Sequence, residues 1–391
     1  IIQALAFMIG MGSGNYMTRS LGAGKRELAE QIVSIAFFTG IIMGLVITVS
    51  ATFNIHRVVL LLGATETIAP YAEAYAHYIF IAAPFMICSF IMNNLLRFQG
   101  KASFAMVGIT VGGLLNIALD PLFIFTLDMG TAGAALATGL SQFISFCILL
   151  WMCNHQDSCI SISIRKFRPK LAIYREVLYG GIPSLGRQGI ASVATILMNF
   201  MCQPYGDAAI AAMSIVSRFM FFINSVIIGF GQGFQPVCSY CFGAGLYDRV
   251  KKACWFCIRV STIILLVLSV ISFPAARSII TLFRRNDPTV IEIGTLALRL
   301  QLITLPLQGA VIMGNMMPQS IGYGFRATLV STARQGIFLI PLLTIMTYTI
   351  GLLGIQCAQP LADIATFILS LFVIRGIFKE FPEDASSFAA Q

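Results

Sequence analysis

The sequence predicts an all-α integral membrane protein with about eleven transmembrane helices. Of its 391 residues, 58% are hydrophobic and only 10% are charged, whereas soluble globular domains carry roughly 25% charged residues. The apolar residues form repeated runs that reach the about 20 residues needed to cross roughly 30 Å of hydrocarbon. Since these runs are continuous and lack the alternation of barrel strands, we expect helices and no β-barrel.

Eleven apolar segments follow one another along the chain, with short polar connections between them. The predicted helices run over residues 1–18, 29–52, 69–97, 103–126, 131–153, 177–202, 208–241, 251–276, 289–318, 325–348 and 353–378. The first segment lacks the charged start and the small-residue cleavage site of a signal peptide. Because the sequence enters directly in this apolar segment, we expect it to be truncated and at least one further helix to precede it.

The basic residues predict the orientation of these helices. The net charge is +9, but Lys and Arg lie in short clusters between apolar runs and form no single face, so we do not expect nucleic-acid binding. Most of them occupy every second connection, and the alternate connections hold only Arg57, Arg277, Arg284 and Arg285. Since basic connections stay cytoplasmic, the carboxyl end is predicted inside the cell and the present amino end outside, in a multi-pass plasma membrane protein.

The longest polar connection divides the chain into two halves. Residues 154–176 are basic and contain the helix-stopping Pro169. They are predicted to form a cytoplasmic linker between an N-terminal lobe, 1–153, and a C-terminal lobe, 177–391.

Two short patterns recur in both halves in the same order. Gly10-Met11-Gly12 followed by Gly22-Ala23-Gly24 returns 221 residues later as Gly231-Gln232-Gly233 and Gly243-Ala244-Gly245. Gln99-Gly100-Lys101-Ala102 is matched to Tyr323-Gly324-Phe325-Arg326, 224 residues later. Because the displacement is an even number of helices, the halves are predicted to be parallel repeats, an arrangement that commonly places a transport site between them.

Four segments of the chain resemble a known transporter family. Gly10–Glu30, Leu95–Phe125, Gly229–Gly245 and the tripeptide Gly181-Ile182-Pro183 are similar to landmarks of the multidrug and toxic compound extrusion family, in the same order. The resemblance covers essentially the whole chain. It implies two six-helix lobes, twelve helices in the complete family fold, that face each other across a central cleft.

The resemblance also implies a function. Members of this family are secondary active antiporters that export organic cations or drugs in exchange for H⁺ or Na⁺. Many members carry a coupling carboxylate on the first helix, which this sequence lacks, and some carry a glutamate in the seventh helix where this sequence has Ala191. We therefore expect no enzymatic activity, no cofactor besides the coupling ion, and a monomer that binds small organic cations within the lipid bilayer.

Charged side chains at membrane depth are candidates for function, because an unpaired charge in hydrocarbon is costly. Asp120 falls inside a predicted helix and could bind the coupling cation; the alternative is a basic partner or a place near the interface. Asp363 lies in the last helix and could be a second relay or a packing group. The second half also holds helical arginines, which keep their protons and could anchor carboxylates or reach the interface: Arg187, Arg218, Arg259, Arg299 and Arg334.

Other polar side chains of the predicted helices are candidates for contact with substrate, although each could equally hold two helices together. Besides two of the arginines, Arg187 and Arg218, the substrate candidates are Asn116, Gln188, Asn199, Gln232, Gln235 and Asn315.

Cysteine spacing imitates a zinc ribbon, with Cys238-x-x-Cys241 followed by Cys254-x-x-Cys257. The first pair ends one apolar helix and the second begins the next, without polar residues around either pair. We therefore expect no metal site here and no structural disulfide.

Two other functions stay open at this stage. A flippase for lipid-linked precursors would share the two-lobe fold, and its anionic cargo would need a basic site such as the second-half arginines could form. A membrane-embedded transferase would need a cluster of His, Asp or Glu. The histidines are far apart in the sequence, and the acidic residues lie mostly in connections.

Overall fold

The computed structural model describes residues 2–61, 68–155, 162–284 and 287–382. These residues form α-helices with short π-helical and 3₁₀ pieces, and no strand occurs among them. The α-helices are α1 (Ile2–Gly22), α2 (Arg26–Phe53), α3 (Ile55–Leu61), α4 (Ala69–Phe98), α5 (Ala102–Pro121), α6 (Gly130–His155), α7 (Leu171–Cys202), α8 (Asp207–Gly243), α9 (Tyr247–Phe283), α10 (Pro288–Thr304), α11 (Gln308–Ile321), α12 (Gly324–Thr332), α13 (Leu339–Ile350) and α14 (Leu352–Glu380). The all-helical prediction is confirmed.

Within the described ranges, nine helical segments are long and apolar enough to cross a membrane. The helices α1 and α7 are also long enough, with 21 and 32 residues, but they are more polar. Together these segments match the eleven predicted ones in order.

Several predicted boundaries were wrong. The helix α7 begins at Leu171 instead of Val177, so part of the predicted linker 154–176 is helical, and residues 156–161 of that linker lie outside the described residues. The predicted helix 289–318 is interrupted by a 3₁₀ turn at Leu305–Leu307, and the predicted helix 325–348 by a π-helical piece at Ala333–Phe338. Pro306 lies in the first of these breaks, where it removes a backbone donor.

The chain divides into two compact units, Ile1–Gly181 (unit 1) and Ile182–Gln391 (unit 2). In unit 1 the helix α4 buries Ile87, Ile91 and Leu95 in a core shared with α1, α2 and the start of α7. In unit 2 the core joins α8, α9, α10, α13 and α14 through such residues as Val216 and Leu298. The prediction of separate lobes at 1–153 and 177–391 remains a prediction.

The segment before α7 is fastened to unit 1. The Ser163 backbone N–H donates to Ser34 Oγ at 3.2 Å, and Lys166 forms an ion pair with Glu30 of α2. The first turns of α7 continue this attachment, because Glu176 lies 3.4 Å from Arg19 of α1. Residues 171–181 therefore belong to the fold of unit 1.

The two units repeat the same turns at helix ends. Gly24 and Gly245 adopt φ angles of 73° and 74°, and Gly100 and Gly322 adopt 80° and 92°. Each is followed by a residue whose N–H reaches back to the last helical turn, as Lys25 does to the Ser20 carbonyl at 2.8 Å. This is the Schellman ending, in which glycine supplies the left-handed backbone at no steric cost. The predicted match of Gly100 to Gly324 is therefore wrong, since Gly322 takes that place.

Side-chain contacts repeat at the same spacing. Asn93 donates to the Ala105 carbonyl at 2.8 Å in unit 1, and Asn315 donates to the Ala327 carbonyl at 2.8 Å in unit 2. Thr18 and Ser239 likewise donate from corresponding helices, to the carbonyls of Phe98 and Ser320. Each unit thus holds one copy of the same helix-packing arrangement.

Candidate functional site

Asp120 lies at the end of α5, one residue before the helix-terminal Pro121. The Asn116 amide, one helical turn earlier, lies 3.3 Å from Asp120 Oδ1 and 3.4 Å from Thr138 Oγ1 of α6. All three side chains are partly buried. Among the described residues, no Lys or Arg nitrogen lies within ion-pair distance of this carboxylate.

The backbone beside Asp120 is irregular. A π-helical piece, Leu122–Thr126, follows at once, and α6 begins at Gly130, whose φ angle is 56°. Such breaks in a membrane helix leave carbonyls outside the regular hydrogen-bond ladder, where they are available to a cation. The surroundings of Asp120 therefore offer carboxylate and hydroxyl oxygens, both of which accept from the Asn116 amide, and such oxygens suit a proton or a hard cation such as Na⁺.

Asp363 has a different environment in unit 2. Its carboxylate is 1% exposed and lies 2.8 Å from Arg334 Nε, and Gln359 of the same helix donates to it at 3.0 Å. Arg334 belongs to the π-helical piece Ala333–Phe338. The guanidinium compensates the charge of the carboxylate. Asp363 and Arg334 therefore have the geometry of a structural ion pair.

A buried polar chain links α7, α8 and α11 within unit 2. Gln319 donates to Ser184 Oγ at 2.9 Å, and Gln235 donates to Gln319 Oε1 at 3.4 Å. Ser184 and Gln235 are both fully buried. Arg187 lies on α7 one turn after Ser184 and is partly buried. This chain joins the predicted residue Gln235 to two residues, Ser184 and Gln319, that the sequence did not single out.

The remaining substrate candidates lie apart from one another. Asn315 is buried and serves helix packing through its bond to Ala327. Asn199 and Gln188 are exposed on α7 and Arg218 is exposed on α8, whereas Gln232 of α8 is partly buried. The structure therefore does not bring the predicted substrate residues of unit 2 together in one cluster, and their contact with substrate stays a prediction.

The cysteines of the zinc-like motif lie in an apolar environment. Cys238, Cys254 and Cys257 are buried in one hydrophobic cluster that also contains Phe234 and Met313. Among the residues that the structure describes, no group of three or more His, Cys, Asp and Glu side chains could hold a metal ion.

Comparison with known proteins assigns the family. The family profile described as MatE matches residues 1–122 and 183–345. The chain belongs to the MatE family. The prediction made from the four sequence motifs is thereby confirmed, and so is the prediction of a multi-pass transporter of the plasma membrane.

Individual MatE relatives match along nearly the whole chain. The multidrug export protein MepA of Staphylococcus saprophyticus is 28% identical over 96% of this chain and 82% of its own length. MepA of Staphylococcus aureus strain N315 is 29% identical with the same coverage. A solved structure of a multidrug resistance MATE family transporter in the outward-facing conformation has a TM-score of 0.91 and 25% identity, over 98% of this chain and 86% of that one.

A further solved structure comes from Pyrococcus furiosus. It is a transporter of the MOP superfamily for which a reversed polarity of the binding pocket suggests a different function. Its TM-score is 0.90 at 26% identity, and the match covers 97% of this chain and 85% of the Pyrococcus furiosus chain. The fold is thus shared with a transporter whose binding pocket has a reversed polarity.

Proposed function

We propose that this MatE protein is a secondary antiporter that exports small organic cations in exchange for protons or sodium ions, with Asp120 as a coupling carboxylate. The export of drugs is supported by the relatives, which are named as multidrug export proteins. As a transporter, the protein would change no covalent bond of its substrate.

One observation carries the role of Asp120. It is a carboxylate in a membrane-spanning segment whose contacts are an amide and, through that amide, a hydroxyl, while Asp363 in unit 2 is held by Arg334. An antiporter needs a group whose proton or ion occupancy changes during the cycle. Asp120 can lose and regain a cation without breaking an ion pair, whereas release of Asp363 would leave a guanidinium uncompensated.

The pairing of Arg334 also bears on the flippase alternative. A flippase for anionic lipids needs unpaired basic groups to bind its cargo, and Arg334 is occupied by Asp363 at 2.8 Å. Arg334 is only one of the five helical arginines of the second half, so we favour organic-cation export because the relatives are named as multidrug export proteins.

Asp120→Asn tests this function directly. In inverted membrane vesicles or proteoliposomes, ethidium transport driven by an imposed proton or sodium gradient should fall about tenfold or more, because the amide cannot carry the charge that a coupling ion balances. Transport is measured with each gradient separately and normalised to the amount of folded protein. The gradient whose effect disappears identifies the coupling ion.

A matched carboxylate provides the control for this experiment. Asp207 is exposed in the first turn of α8, and Asp207→Asn should leave gradient-driven transport close to that of the unchanged protein. Transport by the Asp120→Asn protein at the unchanged rate under both gradients would show that Asp120 has a structural role only.

A further inference from the structure

A cleft of about 750 Å³ opens on unit 2 among α9, α10 and α14. Its polar lining comes from Arg277, Glu292, Thr295, Arg299 and Gln356, and its apolar lining includes Leu296, Leu352 and Leu353. It contains neither Asp120 nor the Arg334–Asp363 pair. The cleft therefore needs an explanation separate from ion coupling.

The charged groups of the cleft lie along one face of α10. Glu292, Thr295 and Arg299 are three and four residues apart, so they follow one another on the same side of the helix. Arg299 lies about 16 Å along the helix axis from Pro288, and Glu292 about 6 Å. Glu292 thus lies nearer the amino-terminal end of α10 than Arg299 does.

The depth of these groups follows from the lengths of the helices. Pro288–Ile321 has 34 residues and is about 51 Å long, so about 10 Å extends beyond each side of a 30 Å hydrocarbon layer when it is centred. Arg299 then lies about 6 Å inside the hydrocarbon boundary. Arg277, about 9 Å from the end of the 37-residue α9, lies close to that boundary.

Arg299 lacks an anionic partner in the described part of the chain. Its guanidinium lies 5.5 Å from the centroid of the Phe273 ring, and its Nε is buried without a hydrogen-bond acceptor. Within the described ranges, Arg299, Arg277 and Glu292 form no ion pair. A cation at this depth is stabilised when an anion enters the cleft beside it.

Bilayer phospholipids carry a phosphate just outside the hydrocarbon boundary, and a long arginine side chain that starts about 6 Å below this boundary can extend toward it. We propose that the cleft binds an amine-bearing phospholipid, with its phosphate between Arg299 and Arg277, its ammonium group at Glu292, and an acyl chain along Leu296, Leu352 and Leu353. Basic pockets between transmembrane helices are established receptors for lipid head groups. Glu292 adds selectivity, because it attracts an ammonium group and repels a second negative charge.

Native mass spectrometry of the purified chain tests this assignment, with phosphatidylethanolamine, phosphatidylglycerol and inorganic phosphate as probes. The unchanged protein should retain one phosphatidylethanolamine in preference to phosphatidylglycerol. Arg299→Gln should weaken retention about tenfold, since a charge-assisted hydrogen bond is lost. Arg299→Lys should retain part of the binding, and Glu292→Gln should shift the preference towards phosphatidylglycerol.

Arg259→Gln is the matched control, because Arg259 is exposed on the same helix α9 about 27 Å from Arg277 along the axis. It should retain lipid as the unchanged protein does, and gel filtration confirms that each variant is folded. Equal retention by Arg299→Gln and Arg259→Gln would overturn the proposal. Saturable binding of inorganic phosphate without any preference for phosphatidylethanolamine would overturn the lipid as its source.

Discussion

Asp363→Asn should lower the free energy of unfolding of unit 2 by about 3–5 kcal/mol, because it leaves the Arg334 guanidinium without its carboxylate in a low-dielectric environment. The pair is closely made, with Arg334 Nε 2.8 Å from Asp363 Oδ1 and Asp363 only 1% exposed. Gln359 would also lose its charged acceptor. The measurement is the midpoint of heat-induced loss of the gel-filtration peak in detergent.

An exposed ion pair of the same unit provides the control. Arg326 and Glu380 form a pair in which both side chains are more than a third exposed, so Arg326→Gln should leave the unfolding midpoint nearly unchanged. The double variant Arg334→Met with Asp363→Leu removes both charges and should recover most of the stability. An unchanged midpoint for Asp363→Asn would show that the pair contributes nothing to stability.

Hydropathy predicted the order of the helices because a bilayer selects for long apolar runs. It could not locate the breaks at Leu305–Leu307 and Ala333–Phe338, since the residues in and around them are nearly as apolar as a continuous helix. The spacing of glycines predicted the internal repeat, but two glycines close together, Gly322 and Gly324, left its register ambiguous. Only Gly322 has the positive φ that the turn requires.

The candidate site was predicted in part for a similar reason. Three polar residues stand out within apolar runs of the sequence, namely Asp120, Asn116 and Asp363. Their position in a membrane-spanning run is enough to identify them as candidates. Their partners come from other helices. Thr138 lies on α6 and Arg334 is 29 residues before Asp363, and a threonine or an arginine in a helix has no sequence mark that reveals which carboxylate or amide it meets.

Gly12→Ala and Gly181→Ala should each destabilise unit 1 by about 3 kcal/mol, the upper end of the cost of overpacking. A Cβ at Gly12 would overlap the carbonyl oxygen of Val177, and a Cβ at Gly181 would overlap that of Met8. The helices α1 and α7 thus approach each other backbone to backbone, as small residues permit in membrane proteins. A rigid carbonyl cannot rotate away as a side chain can.

Two control glycines make this prediction specific. Gly180 is the neighbour of Gly181, and Gly233 is the counterpart of Gly12 in the repeat. A Cβ at Gly180 would lie 3.5 Å from the Gly12 Cα, and a Cβ at Gly233, which follows Gly12 by the repeat spacing, would meet nothing within 4 Å. Gly180→Ala and Gly233→Ala should each be neutral or stabilising by about 0.5–1 kcal/mol, because alanine restricts the backbone of the unfolded chain. Equal unfolding midpoints for Gly12→Ala and Gly233→Ala would contradict the close approach of α1 and α7. A lower midpoint for Gly12→Ala alone would mean that the same glycine motif serves backbone contact in unit 1 but not in unit 2.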